Sequence, residues 1–123
     1  VNVVTRSMAE RVNRTSGDYA PDVDEFDAAP FTREASQLVK PPRVAESPAA
    51  LECRLFQVVR HGDGPQAANY VIGEIVHVRI HDAALRVDGL FDTAGQGLVA
   101  RMGRDEWSQV LTESVFSLAR PVV

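Results

Sequence analysis

Leu51-Glu52-Cys53-Arg54-Leu55-Phe56-Gln57-Val58-Val59 and, beyond a glycine-rich break, Tyr70-Val71-Ile72-Gly73-Glu74-Ile75-Val76-His77-Val78-Arg79-Ile80 decide the fold class of this sequence. In the first stretch Leu51, Cys53 and Leu55 alternate with Glu52 and Arg54, the period of two expected of a half-buried strand, whose successive side chains point to opposite faces. Phe56, Val58 and Val59 then blur the alternation, which requires a bulge or burial on both sides. In the second stretch Val76, Val78 and Ile80 share one face while His77, Arg79 and His81 share the other, so one side reads as core and the other as wet. His61-Gly62-Asp63-Gly64-Pro65 has the composition of a turn, and the two stretches are expected to form a β-hairpin with an extended loop.

On the C-terminal side, Asp88-Gly89 between Leu85-Arg86-Val87 and Leu90-Phe91 signals a tight turn joining two short strands. Arg104-Asp105-Glu106-Trp107 is expected to open a short helix reaching about Leu111, and Val115-Phe116-Ser117-Leu118 to close the fold as a strand. On the N-terminal side, Val1-Asn2-Val3-Val4-Thr5 reads as a strand entered midway. Ser7-Met8-Ala9-Glu10 has the spacing of a capping box, which predicts a short helix ended by Gly17. Residues 18–50 hold Pro21, Pro30, Pro41, Pro42 and Pro48, so they read as long loops with one helical turn around Asp24-Glu25-Phe26. Phe26, Phe31, Leu38 and Val39 favour burial, so this segment is expected to wrap a core rather than separate two domains. The fold class is mainly β with short helices, in a single domain over residues 1–123.

A chain of 123 residues that is 45% hydrophobic and 24% charged has the composition of a globular protein rather than a disordered or fibrous one. Its net charge of −4 provides no electrostatic reason to bind nucleic acid or an anionic membrane surface. No apolar run is long enough for a membrane helix, and no signal-peptide pattern opens the chain. The single Cys53 can form no internal disulfide, which suits a reducing compartment, and the cytoplasm is the expected location.

No motif in the residues defines a reaction. His77 and His81 lie four apart, but on a strand that spacing separates them by about 13 Å, too far to share a metal ion. A solvated or dimer-facing strand surface suits them better. Asp18, Asp22, Asp24, Glu25 and Asp27 lack the glycine and ligand spacing of a calcium loop, and acids at the start of a short helix complement its dipole. Gly62-Asp63-Gly64 and Gly95-Gln96-Gly97 lack the strand–helix context of a nucleotide cradle. No Gly-x-Ser-x-Gly elbow supports a hydrolase, and Cys53 in a strand reads as packing. Arg101-Met102-Gly103-Arg104 followed by Trp107 could clamp an anion or stack on a planar ligand, or simply enter a helix beside a buried tryptophan.

Taken together, Val1-Asn2-Val3-Val4, Val23-Asp24-Glu25-Phe26, Pro41-Pro42-Arg43-Val44-Ala45-Glu46-Ser47-Pro48, Leu51-Glu52-Cys53-Arg54-Leu55, Val71-Ile72-Gly73-Glu74-Ile75-Val76 and Ala100-Arg101-Met102-Gly103 resemble the flavin reductase-like family, in the branch associated with flavoprotein oxygenases. The resemblance implies an FMN-binding split β-barrel represented by its C-terminal portion, without the N-terminal strands. Family members carry there most of the groups that hold the FMN phosphate and ribityl chain. The chain is therefore expected to be a fragment of a longer protein, or one that has lost much of its flavin site.

The implied activity is transfer of a hydride from NAD(P)H to flavin, with FMN as cofactor, in a homodimer that could serve a flavoprotein oxygenase. The resemblance makes the His77/Arg79/His81 face and the loops around Asn69 candidates for the dimer interface. Carried over residue by residue, the cofactor-binding candidates are Asn13, Thr15, Ser16, Asn69, Arg101 and Gly103, with no catalytic residue assigned and no metal. Asn13, Thr15 and Ser16 are equally suited to capping a helix. Asn69 stands where many flavin reductases have a Gly-Asp-His element, and Trp107 where they often have tyrosine. The alternative is a non-catalytic split-barrel module for binding or oligomerisation.

Overall fold

The alternating stretches pair as expected, and the hairpin they build dominates the computed structural model, which describes residues 1–64 and 67–122. In chain order the elements are α1 (Ala9–Arg14), α2 (Glu25–Ala28), β1 (Arg33–Glu34), β2 (Arg43–Val44), β3 (Ala49–His61), β4 (Ala68–Ile80), β5 (Val99–Arg101) and β6 (Trp107–Gln109). β1 pairs with β2, β3 with β4 and β5 with β6, all antiparallel. Pro65, the last residue of the expected hairpin turn, lies outside the described residues. Among the described residues no helix is long and apolar enough to cross a membrane.

The N-terminal segment joins two of these ribbons. Val3 N–H donates to Ala49 and Leu51 N–H to Val1, so residues 1–3 lie along the outer edge of β3. Thr5 then bridges Leu98, while Arg6 N–H donates to Gly97 and Val99 N–H to Val4. The result is a bent succession of β4, β3, the N-terminal segment, β5 and β6. The Ser47 hydroxyl lies within hydrogen-bond distance of the Val3 and Ala49 carbonyls, and Asn2 Oδ1 accepts from Val44 N–H. Met8, Ala9, Ala29, Ala49, Ala50 and Ala84 form the small buried core where these segments meet.

The base of the hairpin is held by charge. Glu52, only 3% exposed, accepts from Gln37 N–H at 2.8 Å and Leu38 N–H at 2.7 Å, and pairs with Arg43 at 3.3 Å. Arg43 also reaches Glu34 at 3.1 Å, and Glu34 lies 3.9 Å from Arg79. Burial pushes the Glu52 carboxyl up, but the two backbone N–H groups and the charges of His77 and Arg43 outweigh it and hold the group below the usual carboxylate range. The hydrogen bond from Arg43 lowers Glu34 likewise. Glu46 is also lowered: burial opposes, but bonds from its own backbone, from Thr32 and from Arg11 prevail.

Several local expectations are corrected. The packed side of β3 is the Glu52 side, and the Leu51/Cys53/Leu55 side is open, with Leu55 68% exposed. A buried charge is tolerated because both carboxylate oxygens find donors, whereas no described segment covers the apolar side. His77 and Arg79 therefore face the ionic cluster rather than open solvent. The blurred alternation near Phe56 is a register shift between Leu55 and Gln57, and a second falls between Glu52 and Cys53. Burial on both sides does not occur, since Phe56 is 73% exposed.

Ser7 makes no capping box. It lies inside a 3-10 turn at Arg6–Met8, and its hydroxyl pairs with that of Thr5. The expected helix from Arg104 is instead the turn of the β5–β6 hairpin: Arg104 adopts φ 54°, Met102 N–H donates to Glu106, and Trp107–Gln109 pair with β5. The pairing of Ala100 with Ser108 and Val99 with Gln109 overrides a helix start that has only local acids in its favour. Val115–Leu118 follow a 3-10 turn at Thr112–Ser114 and have no strand partner among the described residues. Asp88-Gly89 does turn the chain, but only the Leu85–Phe91 bridge flanks it. The helical turn at Asp24 forms as read, with Asp24 accepting from Phe26 N–H and pairing with Arg33 at 2.7 Å.

Because Glu34, Glu46 and Glu52 titrate lower in the folded chain than in the unfolded one, the unfolded state binds more protons as the medium is acidified. Their stabilisation is complete above the usual carboxylate range and is lost progressively below about pH 5. Urea midpoints measured across that window should fall steeply for the unmodified chain and less steeply for Glu52→Gln, which should already be less stable at neutral pH.

Candidate functional site

α1 is followed closely by the β5–β6 hairpin in space because residues 4–6 pair with residues 97–99. Gly97 makes that approach possible: it sits at φ 57°, and a Cβ there would lie 3.0 Å from the Gln109 amide nitrogen. Its carbonyl accepts from Arg6 N–H at 2.9 Å, so Gly95-Gln96-Gly97 is a register-setting turn and not a phosphate cradle.

Between α1 and the β5–β6 hairpin lies a cleft of about 420 Å³. Arg6, Glu10 and Asn13 line one wall at the three- and four-residue spacing of a helix face, and Trp107 and Gln109 line the other. The Arg101 guanidinium lies 6.0 Å from the centre of the Trp107 ring on the facing strand, and its Nη2 donates to the Arg104 carbonyl at 3.0 Å. Arg101 thus supports the tryptophan through a cation–π contact. The volume is within the range of small-molecule sites, which combine an apolar or aromatic surface with a few placed polar groups.

The six cofactor-binding candidates do not converge. Asn13 lines the cleft, and Arg101 stands behind Trp107. Thr15 and Ser16 close α1: their hydroxyls donate to the Val12 and Asn13 carbonyls at 2.8 and 2.7 Å. Thr15 also borders a second, more apolar recess of about 290 Å³ with Met8, Val12, Phe26 and Phe31. Gly103 lies in the open β5–β6 turn, with nothing within 4 Å of its would-be Cβ. Asn69 pairs with Arg60 near the hairpin tip, about 35 Å along the ribbon from Ile80. Arg6, Glu10 and Gln109 were not singled out from the sequence. The Arg6, Glu10, Asn13 spacing was the signal available for the first two; Gln109 is brought in by a pairing no local pattern announced.

Chemically the cleft offers one flat aromatic face, two side-chain amides able to donate and accept, one guanidinium and the carboxylates of Glu10 and Asp105. That set suits a planar heteroaromatic group with alternating donors and acceptors along its edge.

Comparison with known proteins gives a consistent result. Residues 1–95 match the flavin reductase like domain. An uncharacterized protein of Halalkalibacterium halodurans, BH2278, is 34% identical over 125 residues, a match covering all of this chain and 58% of that protein. A Shewanella frigidimarina structure with a split barrel domain superposes with a TM-score of 0.74 at 31% identity, covering 99% of this chain and 58% of the other. Component B of nitrilotriacetate monooxygenase from Bacillus cereus shares the fold, with a TM-score of 0.82 at 21% identity over 96% of this chain and 58% of its own. This chain thus spans a little over half the length of each of these proteins.

The two hydroxyl bonds at the end of α1 separate capping from ligand binding. Thr15→Ala and Ser16→Ala should each lower stability by about 1 kcal/mol, whereas Asn13→Ala should change it by less than about 0.5 kcal/mol. Urea unfolding followed by the emission of Trp107, the single tryptophan, measures all three.

Proposed function

The chain belongs to the flavin reductase-like family, and from that membership and the cleft beside Trp107 we propose that it binds FMN and takes part in the transfer of a hydride from NAD(P)H to flavin. The observation that carries the reading is the meeting of Arg6 and Asn13, inside the span that matches the family, with Trp107 at one cleft. Trp107, steadied by Arg101, supplies a surface on which a planar ring stacks. Asn13 and Gln109 orient the ring's polar edge through their amides, and Arg6 supplies positive charge at the α1 wall. When bound, flavin would supply the two-electron chemistry of a hydride acceptor. The protein's own part is to place the edge and stacking face and to keep one side of the ring out of water.

The fold shared with nitrilotriacetate monooxygenase component B supports the further proposal that reduced flavin passes to an oxygenase partner. We place the protein in the cytoplasm on its single, unpaired Cys53. A second reading, a binding or oligomerisation module without flavin turnover, is favoured by the use of the Thr15 and Ser16 hydroxyls in closing α1 and by the place of Asn69 near the hairpin tip.

Titration with FMN, and separately with FAD, should quench Trp107 emission saturably, with FMN the tighter ligand. Asn13→Ala and Arg6→Gln should each weaken FMN by about tenfold, the equivalent of one lost charge-assisted or amide hydrogen bond. NADH or NADPH consumption in the presence of FMN then tests turnover. A folded chain that binds FMN without oxidising either nucleotide supports the module reading, and one that binds no flavin removes the proposal.

A further inference from the structure

The helix α1 stands between two hollows. Glu10 and Asn13 face the cleft of about 420 Å³, while Val12 and Thr15 face the apolar recess of about 290 Å³ that Phe26 and Phe31 also border. With six residues α1 is too short to hold a helical conformation by itself, so its place is set by what it is tied to. At its N-terminal end the tie is backbone: Arg6 N–H donates to Gly97 and Val99 N–H to Val4. Further along, open space on both flanks leaves apolar packing little to fix.

Arg11 provides the second tie. Its Nη1 donates to the Pro30 carbonyl at 3.1 Å and to Glu46 Oε1 at 3.3 Å, and its guanidinium lies 4.4 Å from the centre of the Phe31 ring. Among the described residues, no other side chain of Ala9–Arg14 makes a hydrogen bond or ion pair. The acceptor is itself fixed, since both Glu46 oxygens take the Thr32 N–H at 3.1 Å and the Thr32 hydroxyl reaches Oε1 at 3.2 Å. Both partners of the ion pair are partly buried, where such a contact is screened less than on the open surface. A guanidinium that meets a carbonyl, a carboxylate and an aromatic face at once has one orientation, and it passes that constraint to the helix.

We propose that Arg11 is a positioning residue for the cleft, holding α1 against Pro30, Phe31 and Glu46 so that Asn13 stands opposite Trp107. Asn13 follows Arg11 by two residues, about 200° around the helix, so a pull on Arg11 from one side presents Asn13 on the other. Arg6 is held by its backbone bond to Gly97 and does not depend on this tie. Without the tie the C-terminal half of α1 has room to shift on either flank, and the wall facing Trp107 loosens. The consequence for flavin rests on the proposed stacking of that ring on Trp107; the placement of α1 does not.

Arg11→Met keeps an unbranched apolar stem and a good helix former, so the variant should fold. Acrylamide should quench its Trp107 emission about twofold more efficiently than in the unmodified chain, a readout that needs no ligand. Both hydrogen bonds leave from one nitrogen, so Arg11→Lys can keep them and should restore the original quenching. FMN should bind Arg11→Met about tenfold more weakly, the loss of one well-placed hydrogen bond. In an Asn13→Ala background the same substitution should add little, because it acts through that amide. Asp88 lines neither hollow, and Asp88→Ala, which loosens the turn at residues 86–90, should leave quenching and affinity as they are. If the unmodified chain binds no flavin, the flavin reading falls and the quenching comparison decides the role of Arg11. Unchanged quenching in a folded Arg11→Met, failure of Arg11→Lys to restore it, an equal rise in Asp88→Ala, or full additivity with Asn13→Ala would each overturn the assignment.

Discussion

A single buried carboxylate ties together parts of this chain that have little else in common. Glu52 takes two backbone N–H groups from the loop at residues 37–38 and one arm of Arg43, and Arg43 in turn holds Glu34 on β1. The loop following β1, β2 and the base of the long hairpin are thereby fixed to one another through ions rather than apolar packing. Burying a charge is costly unless it is paired and hydrogen-bonded, and here three donors reach the two oxygens. The core nearby is made of small residues, chiefly alanine. A network of this kind specifies geometry more than it adds stability, which suits a segment whose apolar burial is slight.

The cleft inherits its shape from that frame. With β3 anchored, residues 1–3 run along its edge and residues 4–6 cross to Gly97–Val99, which draws α1 against the β5–β6 hairpin. Arg6, Glu10 and Asn13 then face Trp107 and Gln109 across the cleft. The residues of the family resemblance fall mostly on this frame: Pro41–Pro48 and Leu51–Leu55 surround the ionic cluster, and Arg101 backs Trp107. Family membership is thus expressed in what positions the cleft as much as in what lines it.

The open apolar side of the hairpin and the packed charged side follow from the same cause. The loop that satisfies Glu52 can cover only one face of the ribbon, and no other described segment reaches the second. This divides the molecule into a frame that is closed by hydrogen bonds and ion pairs and a sheet face that no described segment covers.

Much of the secondary structure was legible in the residues themselves. The period of two from Leu51, the helical turn around Asp24-Glu25-Phe26 and the Asp88-Gly89 turn are local signals backed by local physics, and each appears in the structure. The mainly β class followed from them, and the split-barrel family from a resemblance carried by several short segments. Signals that depended on partners distant in sequence could not be read. Ser7 had the spacing of a cap but sits inside a 3-10 turn, Arg104–Trp107 had the acids of a helix start but pairs as a strand, and Val115–Leu118 had strand composition but no strand to join. Which face of the hairpin is packed was the least legible of all, because apolar alternation marks a face that prefers to be covered and says nothing of whether anything covers it. The sequence alone determined the long hairpin, the turn at Asp88-Gly89 and the family resemblance. Only the tertiary structure decided that Glu52 is inside, Leu55 is outside, and Asn13 meets Trp107, because burial and proximity depend on what the rest of the chain places alongside.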